Sequence, residues 1–305
     1  MTILYLSPHP DDAVFSAGGA IARAVAAGER VVVATVFSAS AEDEAGRRSE
    51  DRAAVARLGA ERVALDLPEA PRRDRAYRRP GRMFAPIGEA EAELVSEIGR
   101  SLGELARGLG EDVEVVAPLG VGEHVDHQLV YAAAAAAFPP SATIRRAHYE
   151  DIPYALCRYA VGRRLARLGG APASAPRAGR LVEAWALARF WGETPYVADA
   201  IAWAVRPIAL AVLAMPVLRA YPSRVSSSPD GHVKGLLSTG EPSRAMWREE
   251  RVDVSAHAGA WLAAIAEYRT QHPLFLRSLA AWRGALAEHA RRMGSPVLAV
   301  RRWRP

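Results

Sequence analysis

The sequence predicts an open, doubly wound α/β fold with a mostly parallel sheet, and three observations carry that expectation. Apolar, β-branched runs of strand length alternate with helical stretches through the first 150 residues. The runs are apolar throughout rather than at every second position, as in strands covered on both faces. At 305 residues, 50% hydrophobic and 24% charged, the chain is long enough to lay helices over both faces of such a sheet.

The elements follow in order. Ile3 to Leu6 is a buried strand, and a helix through Ile21, Ala22, Val25 and Ala26 stops near Gly28. Val31 to Phe37 is the second and most strongly β-branched run. Ser49 to Leu58 reads as a helix closed by Gly59, and Val63 to Leu65 as a third strand. Arg72 to Ile87 is charged and bears prolines, hence a loop. Glu89 to Leu109 is a long helix, Val113 to Ala117 the fourth strand, Leu129 to Phe138 a helix and Ala147 to Tyr149 a fifth strand. The rhythm then stops. Residues 152–250 read as a helical or irregular insertion, with loop signals at Gly169 to Pro172 and Ser226 to Gly231. Two helices, Ser255 to Tyr268 and Leu276 to Arg292, close the chain. The expected organisation is a Rossmann-like core over 1–151, an insertion or cap over 152–250 and C-terminal helices over 251–305 packed on the core.

Composition narrows the function. The net charge is +5 and the isoelectric point about 9.6, with Lys234 the single lysine. The arginines are scattered in small groups, Arg72-Arg73, Arg78-Arg79, Arg163-Arg164 and Arg301-Arg302, which read as solvated surface charge. There is no continuous basic stripe with interleaved aromatics, so a nucleic-acid partner is not expected. Cys157 is the only cysteine; it forms no intrachain disulfide and reads as a small buried hydrophobe. Met1-Thr2-Ile3 runs straight into the first strand without a basic leader or a cleavage site, which argues for a cytoplasmic protein. The apolar run from Pro207 to Leu218, bracketed by Arg206 and Arg219, is about half the ~20 residues of a spanning helix. A core helix is its first reading, a dimer face or a membrane-surface helix the others; a homo-oligomer stays open.

Chemistry concentrates at two strand ends. Ser7-Pro8-His9-Pro10-Asp11-Asp12 follows the first strand, and His124-Val125-Asp126-His127 follows the fourth. In open α/β sheets ligands bind at that carboxyl edge. His9 and Asp12, three apart across a tight turn, can converge on one metal with His127 as third ligand. Two imidazoles, a carboxylate and an open position form a catalytic zinc set. Asp11 points elsewhere from Asp12 and can serve as general base. His124 can donate to a developing oxyanion, with Asp126 orienting and charging its ring. The plain alternative is a His-Pro turn followed by Asp residues that cap a helix. Tyr149-Glu150-Asp151 ends the fifth strand at the same edge and can line the pocket, whereas His232, His257, His272 and His289 have no partner at ligand spacing.

The two clusters, with Gly18-Gly19, resemble the PIG-L/LmbE family of zinc-dependent N-deacetylases. The resemblance covers residues 1 to about 150 and returns near Val252 to Gln271, at Val252-Asp253-Val254-Ser255 and Tyr268-Arg269-Thr270-Gln271. It implies a Rossmann-like sheet, one Zn²⁺ and removal of acetyl groups from small-molecule N-acetylated amino-sugar conjugates. It makes His9, Asp12 and His127 the ligands, Asp11 the base and His124 the oxyanion stabiliser or acid. Arg47, three residues before Glu50, resembles the family's sugar-contacting arginine, with Arg48 competing, and Asp74 is a candidate second sugar contact; for both, a surface salt bridge is the other reading. Where the family has Glu after the paired Asp, this chain has Ala13. Two rivals remain: the same site on a non-sugar N-acyl natural product, and a non-catalytic Rossmann-like binding module. The absence of a Gly-x-Gly-x-x-Gly after the first strand weakens the latter.

Overall fold

The structure, a computed structural model, describes residues 1–39, 44–140, 142–170, 182 and 247–305. Its centre is a seven-stranded sheet in the order β3-β2-β1-β4-β5-β7-β6. Strands β1 (Thr2–Ser7), β2 (Arg30–Thr35), β3 (Glu61–Ala64), β4 (Val113–Pro118) and β5 (Arg145–Tyr149) run parallel. Strands β6 (Arg248–Asp253) and β7 (Ala299–Arg304) are antiparallel, β7 pairing with β5 and β6 lying on the edge.

Side-chain alternation divides the core into two layers. Ile3, Tyr5, Val31 and Val33 point to one face, where they pack with α1 (Asp12–Ala26), α2 (Glu44–Arg57) and α8 (Ala258–Glu267). Leu4, Leu6, Val32 and Ala34 point to the other, against α5 (Ala92–Gly108) and α6 (Val125–Ala137). Burial on both sides is why these strands are apolar at every position. Close approach of α1 and α8 explains Gly18-Gly19. A Cβ on Gly18 would come within 2.5 Å of the Trp261 ring, and one on Gly19 within 2.8 Å of it. The Trp261 indole donates to the Val14 carbonyl at 2.7 Å, so the glycine pair serves helix packing rather than ligand binding.

Four expectations need correction. The stretch from Arg72 to Ile87 is not a plain loop: it holds α3 (Ala70–Arg73), a 3₁₀ turn (Arg75–Arg78) and α4 (Pro80–Met83). The second C-terminal helix is shorter than expected: α9 (His272–Phe275) precedes α10 (Leu279–Arg292). The C-terminal part also contributes strands, and β6 begins at Arg248, inside the expected insertion. Finally, Arg301 and Arg302 are buried rather than solvated. A strand reading Ala-Val-Arg-Arg-Trp-Arg looks like a basic tail because its acidic partners lie far away in sequence. Arg301 pairs with Glu150 at 2.7 Å, and Arg304 with Glu114 at 2.6 Å and Glu250 at 2.9 Å. The insertion begins with a 3₁₀ turn (Tyr154–Leu156) and α7 (Ala160–Arg167). The 207–218 run, the Ser226 to Gly231 loop and His232 lie outside the described residues. No described helix is long and apolar enough to cross a membrane.

Candidate metal centre and active site

Strand order reverses between β1 and β4: the chain leaves β1 toward β2 on one side and β4 toward β5 on the other. The crevice beyond their carboxyl ends is the topological switch point, where doubly wound sheets bind ligands. Both histidine clusters open into it.

After β1 the chain turns sharply. Ser7 Oγ donates to the His9 carbonyl at 2.6 Å and accepts from the Ala13 amide at 3.0 Å, while the His9 amide donates to Asp12 Oδ2 at 2.8 Å. Asp11 sits at φ 105°, a region costly for a residue with a Cβ, and its side chain caps nothing although its carbonyl starts α1. The plain helix-cap reading of Asp11 therefore does not hold. The turn separates the two carboxylates, sending Asp12 toward the histidines and leaving Asp11 buried beside them.

The second cluster rides on the loop after β4. Its backbone is left-handed at Gly120, Gly122 and Glu123, and a Cβ on Gly122 would strike the Tyr154 ring at 2.3 Å. His124 then caps α6, its Nδ1 accepting from the Asp126 amide at 3.2 Å. His127 lies in the first turn of that helix, essentially solvent-free.

His9, Asp12 and His127 offer ligand atoms that all lie within 4.8 Å of one another. Asp12 Oδ2 is 3.1 Å from His9 Nδ1 and 3.3 Å from His127 Nε2. The outer ring nitrogens are both engaged: His9 Nε2 meets Asp126 Oδ2 at 2.8 Å, and His127 Nδ1 meets Asp151 Oδ1 at 2.7 Å. Each imidazole thus has a buried carboxylate behind it and turns its other nitrogen to Asp12, as metal-ligating histidines do. His9, His124 and Asp126 meet the same distance limit. That set fits a dication less well, because Arg73 Nη2 already lies 2.5 Å from Asp126 Oδ1 and would repel it.

Electrostatics follows from burial and crowding. Burial opposes protonation of His127, but Asp12 and Asp151 outweigh it and hold the ring at about 9. His9 is likewise raised against burial by Asp12 and Asp126. Burial and then the Asp12 charge push Asp11 well above the usual carboxylate range, with Arg47 and His9 pulling the other way. Burial takes His124 down to about 3, even with Asp126 nearby. Its imidazole is neutral; with Nδ1 accepting, the proton is on Nε2, the tautomer that can donate to an oxygen.

Residues 4–138 match the model of PIG-L, GlcNAc-PI de-N-acetylase. That segment is similar to the PIG-L family. A curated relative, 2'-N-acetylparomamine deacetylase of Streptomyces fradiae, is 34% identical over 171 residues, covering 52% of this chain and 59% of that one. The match thus spans about three fifths of the relative's length. The structure of the A40926 pseudoaglycone deacetylase matches with a TM-score of 0.58 at 20% identity, over 99% of this chain and 96% of the other. The zinc inhibited form of teicoplanin deacetylase matches with a TM-score of 0.59 at 18% identity, over 99% and 97%. At such identities the likeness is one of fold.

The PIG-L segment contains every residue singled out from the sequence for metal, base, oxyanion and sugar roles, but the structure redistributes some of them. Asp126 does not orient the His124 ring with its carboxylate; that group faces His9, Arg73 and the Ala70 amide, and burial leaves His124 uncharged. Arg47 donates to Glu69 at 2.9 Å, and its charge acts on Asp11. Asp74 is exposed and caps the 3₁₀ turn, accepting from the Ala76 amide at 2.8 Å, whereas its neighbour Arg73 enters the site. Of Tyr149-Glu150-Asp151 only Asp151 reaches the centre; the Tyr149 hydroxyl donates to the Leu6 carbonyl and Glu150 turns to β7. Ala13 is fully buried and its amide donates to Ser7 Oγ at 3.0 Å. Thr270 donates to Glu50 through both its amide and its hydroxyl, and the Tyr268 hydroxyl donates to Asp51, which ties the C-terminal stretch of the resemblance to α2. Sequence reasoning missed Arg73 and the orienting role of Asp151. Asp151, two residues past a strand whose neighbour β4 leads into a histidine cluster, carried a usable signal; Arg73, in a run of four charged residues, carried none.

Proposed function

We propose that this chain is a zinc-dependent N-deacetylase that hydrolyses the N-acetyl group of an amino-sugar conjugate. The observation that carries the reading is the convergence of His9, Asp12 and His127 on one point of the switch-point crevice, with a separate carboxylate, Asp11, beside it. The relative's name, 2'-N-acetylparomamine deacetylase, supports an aminoglycoside-type pseudosaccharide as the substrate class. The donor chemistry fits zinc: two imidazole nitrogens and one carboxylate, each imidazole backed by a second carboxylate. Zinc held by His9, Asp12 and His127 would supply Lewis acidity to the acetamide carbonyl and acidify a water at neutral pH.

The protein side chains divide the remaining work. Asp11, buried but clear of the ligand set, takes the proton of the attacking water. His124 Nε2–H donates to the carbonyl oxygen as negative charge develops there. When the C–N bond breaks, the carboxyl of Asp11 returns its proton to the departing nitrogen, leaving acetate and a free amine. The aromatic edge of Phe84, whose ring centroid is 5.7 Å from that of His124, walls the same side of the crevice.

The test is acetate release and free-amine formation from N-acetylparomamine and N-acetylglucosamine conjugates, with the protein zinc-loaded and after chelation. Zinc-dependent release supports the reading. A zinc-loaded protein that binds these conjugates and releases no acetate is the binding module instead.

A further inference from the structure

We propose that Arg73 is a positioning residue of the metal centre: it clamps the Asp126 carboxylate that orients His9, and so sets how tightly the centre holds its cation. The inference rests on the zinc reading above. Neither the sequence pattern nor the family match gives Arg73 this role.

The guanidinium is itself fixed from several sides. Nη2 lies 2.5 Å from Asp126 Oδ1, Nη1 donates to the Pro68 carbonyl at 2.8 Å, and the group stacks 4.7 Å from the centre of the Phe37 ring and 5.8 Å from that of Tyr77. Only 14% of the side chain is exposed. The same short helix α3 supplies a second donor, the Ala70 amide, 3.1 Å from Asp126 Oδ2. With one oxygen held by Arg73 and the other by Ala70, the carboxylate cannot rotate, and its Oδ2 meets His9 Nε2 at 2.8 Å. That contact fixes the ring plane and holds a proton on Nε2, which leaves Nδ1, 3.1 Å from Asp12 Oδ2, as the nitrogen that would take the metal. His127 is served differently: its partner Asp151 is anchored by the Val121 amide at 2.8 Å. Loss of Arg73 should therefore disturb His9 alone.

The experiment is a zinc competition titration against a chromophoric chelator on the full chain. It compares wild type, Arg73→Gln, Arg73→Lys, Asp126→Asn and the double variant, with Arg82→Gln as control. Arg82 is exposed and touches the same Tyr77 ring at 5.9 Å, but it does not reach Asp126. Arg73→Gln should weaken zinc binding by about tenfold or more, within the ~10–100-fold range for residues behind metal ligands. Arg73→Lys should lie between it and wild type, because an ammonium lacks the fork that reaches Asp126 and Pro68 together. Arg82→Gln should bind zinc as wild type does. Arg73→Gln added to Asp126→Asn should cost little more than Asp126→Asn alone, since Arg73 acts through that carboxylate. Wild-type affinity in Arg73→Gln, or losses that add in full, overturns the proposal and leaves the zinc reading standing. Failure of wild type to bind zinc overturns the zinc reading itself, and the proposal with it. Should Arg73→Gln not fold, Arg73→Lys and its double variant with Asp126→Asn decide by the same criterion.

Discussion

Two buried clusters of charge lie in one sheet, and they differ in how fully their acceptors are matched. Behind β5, Glu150 takes the Trp303 indole at 2.9 Å on Oε1 and His289 at 2.8 Å on Oε2. Arg301 Nε also lies 2.7 Å from Oε1, an ion-pair contact not aligned as a hydrogen bond. One carboxylate there has three donors around it. At the carboxyl edge, Asp11, Asp12, Asp126 and Asp151 crowd around His9 and His127, with Arg73 bonded to Asp126. Matched buried charge holds a strand in place. Carboxylates in excess over fixed cations mark a place built to receive one. Variants at the two clusters should therefore differ in kind, and turnover per folded molecule ranks them from the greatest effect to the least.

The largest effect belongs to His9→Ala. It removes a proposed ligand and the partner of Asp126 together, so zinc content by elemental analysis should fall toward zero and acetate release with it. Stoichiometric zinc in that variant would reject the ligand assignment. Asp11→Asn comes next. The side chain is adjacent to a ligand yet outside the set, so zinc should stay and turnover drop about 10²–10⁴-fold, the span of a general-base contribution. Its melting temperature should hold, because no described residue donates a hydrogen bond to that carboxylate and Asn tolerates positive φ better than most residues. Loss of zinc, or a near-normal rate, refutes the role.

What the sequence disclosed follows the same division. The parallel strands were legible because β1, β2 and β4 are local apolar runs, as in Val31 to Phe37, and the shorter β3 and β5 fall where the strand-helix alternation expects them. His9, Asp12 and His127 were legible because two compact clusters each followed such a run. Strand β7 was not, because its pattern makes sense only with Glu150, Glu114 and Glu250 in place, and these lie more than 50 residues away in sequence. Arg73 was hidden for a similar reason: its partner Asp126 is 53 residues on, and nothing local separates it from Arg72 or Arg75. Residues whose role depends on a distant partner are the ones a sequence conceals.

His124→Ala tests the third rank and the division of labour between the two histidines of α6. A donor to a developing oxyanion is worth roughly 3–4 kcal/mol in the transition state, so turnover should fall ~10²–10³-fold while zinc content and KM hold. Because His124 also caps α6 through its Nδ1, the variant should lose about 1 kcal/mol of stability as well. Stability loss with normal turnover would leave His124 as a cap and nothing more.

The smallest effect on turnover, and the sharpest check on the comparison, is expected of Glu150→Gln. Burial works against ionisation of this carboxyl, but Arg301, His289 and the Trp303 indole prevail and hold it at about 2, below its ordinary 4.5. An acid whose folded pKa is depressed contributes stability above the unfolded value, and that contribution fades as pH falls from about 4.5 through about 2. The shift corresponds to about 3 kcal/mol at neutral pH, in line with the ~3–5 kcal/mol lost when one partner of a buried ion pair is removed. Glu150→Gln should thus unfold at lower denaturant at pH 7, and the gap to wild type should narrow in acid. Zinc stoichiometry and turnover per folded molecule should stay near normal, because Glu150 faces β7 and α10 while its neighbour Asp151 alone faces His127. Equilibrium unfolding at pH 7 and in acid, with a zinc assay alongside, settles the point. A variant that keeps its stability but loses zinc would mean that the two clusters are coupled through β5 and that the distinction between matched and unmatched charge fails here.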